Sequence, residues 1–157
     1  MTPLIIFSAK YLVALIMVGG AVTLAFTGER RRRLTYVLAV ALPLGYALAR
    51  LAGLFFGHQQ PFATEGFEPL IPHEIDNSFP SDHVALAGVF ASVAFLADRR
   101  VGLVLWALTL LVGLARMLAG LHYGLDVLVG AVLGLAAVWV ARSILDKVVP
   151  RGGTGQP

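Results

Sequence analysis

Five apolar runs, each close to the length that crosses a bilayer, constrain this 157-residue chain more than any other feature. A hydrocarbon core about 30 Å thick calls for about 20 residues of helix. The runs fall at 4–26, 34–56, 83–97, 101–119 and 124–144. Polar breaks bound them at Thr27 to Arg33, Gly57 to Asp82 and Asp98 to Arg100, and a polar tail starts at Leu145. The third run is short, and Ser78-Phe79 is read as its extension into the interface. Strand-like alternation is absent, and helices are then the only spanning form open to the chain. The expected fold class is all-α: a polytopic transmembrane helical bundle of about five spans, forming one membrane-embedded domain over residues 1–157. Apolar types make up 58% and charged types 13%, the latter about half the usual share. That balance excludes a water-soluble domain, a disordered chain and a nucleic-acid binder. With no cysteine, disulfides, thiolate metal sites and cysteine nucleophiles are excluded too.

Basic residues set the expected orientation. Arg30 to Arg33 mark the first break as cytoplasmic. Alternation then puts Gly57 to Asp82 outside, Asp98 to Arg100 inside, Leu121 to Gly124 outside and the tail inside. Nine of the twelve basic residues fall inside by this assignment, the exceptions being Lys10, Arg50 and Arg116. The first run lacks a basic start and a small-residue cleavage site, so it reads as a retained helix and not as a secretory signal.

Glu65, Glu68, Glu74, Asp76, Asp82, Asp126 and all four histidines fall on the outer side of this arrangement. Ionisable groups at membrane depth are costly and mark cavities or mutual pairs. His58 and His73 read as loop decoration. His122 and Asp126 are spaced i, i+4, which puts them on one helix face within reach. A carboxylate on one imidazole nitrogen fixes the tautomer and leaves the other as base or nucleophile. Arg116 lies six residues before His122, about 9 Å and 240° away on an unbroken helix. Gly120 between them can break that helix and let both face one point. Arginine suits a phosphate oxyanion through its planar fork and permanent charge. In Ser78-Phe79-Pro80-Ser81-Asp82-His83, Ser81 or Asp82 is read as the cap of a helix carrying His83, and a helix N-terminus is an anion site. Two histidines around one phosphoryl group can serve as nucleophile and general acid.

At these residues the sequence resembles the type 2 phosphatidate phosphatase superfamily of membrane lipid phosphatases. That family carries Lys-x6-Arg-Pro, Pro-Ser-x-His and Ser-Arg-x5-His-x3-Asp. The second motif stands here as Pro80-Ser81-Asp82-His83, and the third as Ala115-Arg116, His122 and Asp126, over a motif-bearing region of about 50–140. Gln60-Pro61-Phe62, Leu70-Ile71-Pro72-His73 and Ser78 to His83 are similar to bacterial undecaprenyl pyrophosphate phosphatases of the bacitracin-resistance type. The resemblance implies a metal-independent, cofactor-free enzyme that works through a phosphohistidine, in a bacterial cell membrane with its site facing outward. His122 would be the nucleophile and Asp126 its orienting partner. His83 would protonate the leaving oxygen and then activate water. Arg116 and Ser81 would bind the phosphoryl oxygens. The expected partners are a lipid phosphate substrate and membrane lipids, with no nucleic acid; oligomeric state is left open.

Three positions depart from the family pattern. Gln60 stands for the arginine of the first motif, Gly53 for its lysine and Ala115 for the serine of the third. Gln60 and Arg50 complete the expected phosphate-binding set, Arg50 by reaching up from one turn below Gly53; His58 is a weaker substitute. The family commonly has six spans, so one is expected to be missing before the first motif. Undecaprenyl pyrophosphate is the first substrate expectation. Phosphatidate or phosphatidylglycerophosphate is the alternative, and a non-catalytic lipid-phosphate binder is a second reading that the degenerate first motif permits. A metal site on Asp82, His83, His122 and Asp126 is disfavoured because Arg116 would repel the ion.

Overall fold

The computed structural model describes residues 1–148. Among these residues the chain is helical, with helices α1 (Thr2–Ala25), α2 (Arg31–Phe56), α3 (Pro61–Glu65), α4 (Asp82–Ala97), α5 (Arg99–Leu118) and α6 (Gly124–Val148). A single 3-10 turn, Gly28–Arg30, joins α1 to α2. Helices α1, α2, α5 and α6 are long and apolar enough to cross a membrane. Helix α4 has 16 residues, or about 24 Å of rise. It lies at the centre and packs against all four long helices. Such a helix is screened from lipid by its neighbours and need not span the full hydrocarbon thickness.

The spans of the sequence reading shift at their ends. Arg31 to Arg33 form the first turn of α2 and are not loop; arginine is a good helix former, and its long side chain can reach the interface from a helix. Helix α6 runs past 144 to Val148. Arg151 lies outside the described residues. Ser78-Phe79 does not extend the third span: α4 starts at Asp82, and the preceding Phe79–Pro80 bond is cis. The short α3 inside the long polar connection was not foreseen.

Small residues set how closely the central helices approach, as expected where lipid removes the hydrophobic drive for association. A Cβ on Gly130 would sit 2.6 Å from the carbonyl oxygen of Ser81, and one on Gly134 would sit 2.5 Å from that of Ala85. Helix α6 therefore lies directly on the backbone of α4. Val84, Ala87, Phe90, Ala91 and Ala94 of α4 join Leu12 and Ile16 of α1 and Val112 of α5 in the main core.

One end of the bundle carries the 57–81 connection and the α5–α6 turn. They are joined through the main chain, with Phe62 N donating to Gly120 O and Leu70 N to Ala119 O, both at 3.2 Å. At the other end Arg30 donates to Ala97 O, Arg33 pairs with Asp146, and Asp98 caps α5 by accepting from Arg100 N and Val101 N.

Candidate active site

The α5–α6 turn brings Arg116 and His122 to one region. Helix α5 ends with Gly120 N donating to Met117 O and Leu121 N donating to Arg116 O, the paired bonds of a Schellman cap. The cap needs a left-handed residue, and Gly120 has φ +80°. Its lack of a side chain also matters, since a Cβ there would lie 2.5 Å from the ring of Phe67. Helix α6 begins four residues after Gly120, with Asp126 in its first turn.

His122 is almost fully buried. Its Nδ1 lies 2.8 Å from the carbonyl oxygen of Ser78 and 3.6 Å from Oδ2 of Asp126. The shorter contact is to an oxygen that can only accept, so Nδ1 carries the proton and Nε2 bears the lone pair. Nε2 is buried and has no protein partner. The sequence reading gave the orienting role to Asp126 alone; in the structure the Ser78 carbonyl makes the direct bond and Asp126 stands behind it as the charge.

Asp126 is fully buried. Its Oδ2 accepts from Ser78 Oγ at 2.5 Å and from Tyr123 N at 2.8 Å. Ser78 Oγ also lies near Leu121 O and His122 Nδ1, but it has one proton, and the carboxylate at the shortest distance takes it. Ser78 is thus a site residue with both its hydroxyl and its carbonyl in use, and the sequence reading did not single it out.

Ser81 occupies the N-cap position of α4, yet its hydroxyl makes no capping bond; the expectation of a side-chain cap is corrected here. Its backbone N donates to Asp126 O at 3.0 Å, which turns the residue so that Oγ is buried without a partner. His83 follows in the first turn of α4, half-buried. Arg116 is 6% exposed. One terminal nitrogen lies 3.5 Å from Ala9 O of α1, and its Nε is buried without a partner. His73, in the connection, is held below the usual histidine range by partial burial, then by the positive charge of Arg116 and by His122.

Two expected phosphate ligands are engaged elsewhere. Gln60 is 2% exposed. Its Oε1 accepts from Asp76 N at 2.9 Å and its Nε2 donates to Glu74 O, so its amide clamps the connection. Arg50 is paired with Asp82 and lies over the ring of Tyr46. His58 lies 3.1 Å from Asp126 Oδ1. Ala115 is buried in an apolar cluster with Ala9, Phe62, Ile71 and Leu121.

With Nε2 of His122, Oγ of Ser81 and Nε of Arg116 all buried and unpartnered beside a helix N-terminus, the arrangement suits a tetrahedral oxyanion attacked by an imidazole nitrogen. The PAP2 superfamily model matches residues 9–150. A Bacillus licheniformis protein named bacitracin transport permease protein BcrC is 34% identical over 142 residues, covering 89% of this chain and 70% of that protein. Undecaprenyl-diphosphatase BcrC of Bacillus subtilis is 29% identical, covering 94% and 76%. Among solved structures, that of Aquifex aeolicus LpxE has a TM-score of 0.64 at 24% identity, covering 90% of this chain and 93% of that one. A transmembrane PAP2 type phosphatidylglycerolphosphate phosphatase from Bacillus subtilis has a TM-score of 0.59 at 23% identity, covering 98% and 78%. The chain belongs to the PAP2 superfamily and is a multi-pass membrane lipid phosphatase.

Proposed function

We propose that this PAP2 lipid phosphatase hydrolyses undecaprenyl diphosphate to undecaprenyl phosphate and phosphate, through a phosphohistidine on His122 and at the outer face of a bacterial membrane. The observation that carries the chemistry is the state of His122, with Nδ1 bonded to Ser78 O and Nε2 buried and free of partners. In the first step the Nε2 lone pair attacks the terminal phosphorus. The bond from phosphorus to the bridging oxygen breaks, and His83 gives that oxygen its proton. The ring of His122, now bonded to phosphorus and still protonated at Nδ1, is cationic, and the Asp126 carboxylate stabilises it. In the second step His83 takes a proton from water, the hydroxide attacks phosphorus and the N–P bond breaks. Phosphate leaves and His122 is restored. Arg116, Ser81 Oγ and the first amides of α4 hold the phosphoryl oxygens, where charge develops. Arg50, through Asp82, steadies the start of α4.

The choice of an isoprenoid diphosphate rests on the BcrC relatives. It is supported by an apolar groove of about 180 Å³ between α2 and α4, lined by Leu42, Tyr46, Ala85, Leu86 and Val89, with Asp82 also in its lining. A hydrocarbon chain lying there would have its head group beside His83. Phosphatidylglycerophosphate is the second reading, favoured by the phosphatase that shares the fold.

Phosphate release from undecaprenyl diphosphate in detergent, with a chelator present, tests the proposal. Wild type turns over and His122→Ala loses about 10³-fold or more. Equal release by both proteins removes His122 as nucleophile. Faster release from phosphatidylglycerophosphate than from the isoprenoid reassigns the substrate.

A further inference from the structure

His58 belongs to none of the three motifs, yet its main chain and its partly exposed ring are held by several contacts. Its backbone N donates to Asn77 Oδ1, and its carbonyl accepts from Ser78 N at 2.7 Å. The ring lies 5.8 Å from that of Phe79 and 5.5 Å from that of Tyr123, and the Tyr123 hydroxyl is tied to Thr64 of α3 at 2.7 Å. Nε2 lies 3.1 Å from Asp126 Oδ1, a buried oxygen that no hydrogen bond of good geometry reaches. Nδ1 lies 3.3 Å from the carbonyl oxygen of Phe56. Both ring nitrogens therefore face oxygen atoms. The titratable groups around the ring are Asp126 from α6, Tyr123 from the turn before it, and Asp76, which lines the same surface hollow.

We propose that His58 is the positioning residue for Asp126: its ring is the group that approaches the buried Oδ1. By holding Oδ1, it keeps Oδ2 directed at Ser78 and His122. Without it no polar group approaches the buried Oδ1, the carboxylate can rotate away from Ser78, and His122 loses the charge that supports its cationic intermediate. The assignment rests on the phosphohistidine reading above.

Two variants separate positioning from packing. His58→Phe keeps the ring between Phe79 and Tyr123 and removes the donor. His58→Gln places an amide nitrogen at the reach of Nε2. We expect kcat to fall about tenfold or more in His58→Phe with KM within about twofold of wild type, and His58→Gln to recover most of the loss. A second readout needs no lipid. Carbethoxylation of His122 by diethylpyrocarbonate, followed by peptide mass spectrometry, reports the nucleophilicity of its ring nitrogen directly. It should slow by a similar factor in His58→Phe and recover in His58→Gln. Unchanged kcat and unchanged labelling of His122 in His58→Phe overturn the assignment. So does an equal loss in both variants that tracks a drop in unfolding temperature. A wild type that hydrolyses no lipid phosphate, yet shows His58-dependent labelling of His122, rejects the proposed reaction and leaves His58 with Asp126.

Discussion

At Gln60 a single side chain decides between two accounts of the degenerate first motif. Read as a sequence, the glutamine is a weakened arginine, and Gln60→Arg should repair it. In the structure its amide accepts from Asp76 N and donates to Glu74 O in a nearly fully buried position. Arginine has donors only, so it leaves Asp76 N without an acceptor and adds a charge where there is little room. Gln60→Arg should lower stability by about 1–3 kcal/mol, seen as a lower unfolding temperature in detergent, with no gain in kcat. A gain in kcat at unchanged stability would restore the simpler account. Gly53 follows the same logic: a Cβ there would lie 2.8 Å from Asn77 Nδ2 and 2.9 Å from Phe79 O, so a lysine does not fit under the 77–79 segment as packed. His83, Arg116, His122 and Asp126 were legible in the sequence because ionisable residues at membrane depth are rare. Ser78 was not legible, since half of what it contributes is a carbonyl oxygen, which every residue has. The roles of Gln60 and His58 depend on how the 57–81 connection folds back, and no local spacing encodes that.

Helices α5 and α6 owe their relation to the short turn at 119–123. Had α5 continued, Arg116 and His122 would point in different directions, and the sequence already offers Gly120 as the place where the helix can break. It did not disclose that the turn is also the dock for the 57–81 connection, through Phe62 N to Gly120 O and Leu70 N to Ala119 O. Gly120 thus serves both the helix end and the loop. Gly120→Ala adds left-handed strain, worth about 1–2 kcal/mol, and drives a methyl into Phe67. The expected outcome is a lower unfolding temperature together with a kcat reduced about tenfold or more, since displacement of a positioned group by about 1 Å costs up to about 10²-fold. Loss of stability with kcat intact would separate the turn from the positioning of Arg116 and His122. Helix α4 makes a complementary point. Its shortness looked like a span that had to be lengthened by Ser78-Phe79, but a helix enclosed by four others faces protein and not lipid, so hydropathy length ceases to set its limits. The segment before it is then available to bond His122 and Asp126.

Across the whole molecule the two ends of the bundle differ in charge as well as in structure. The end with Arg30 to Arg33, Arg99, Arg100, Arg142 and Lys147 is basic, and Asp98 and Asp146 there are engaged as a helix cap and an arginine partner. The end with the candidate site carries Glu65, Glu68, Glu74, Asp76 and Asp82. Positive residues tend to stay on the cytoplasmic side of short connections, and on that rule the site is expected to face outward, to the leaflet where a spent lipid carrier would be met. The chain contains no cysteine, so single cysteines report this without background. Glu68→Cys lies in the 57–81 connection, and Glu29→Cys in the turn between α1 and α2. In intact cells a membrane-impermeant maleimide should label Glu68→Cys, and should reach Glu29→Cys only after permeabilisation. The reverse pattern would turn the site inward and require a lipid phosphate supplied from the cytoplasmic leaflet. Labelling of both in intact cells would mean mixed insertion, with the arginine clusters too weak to hold one orientation.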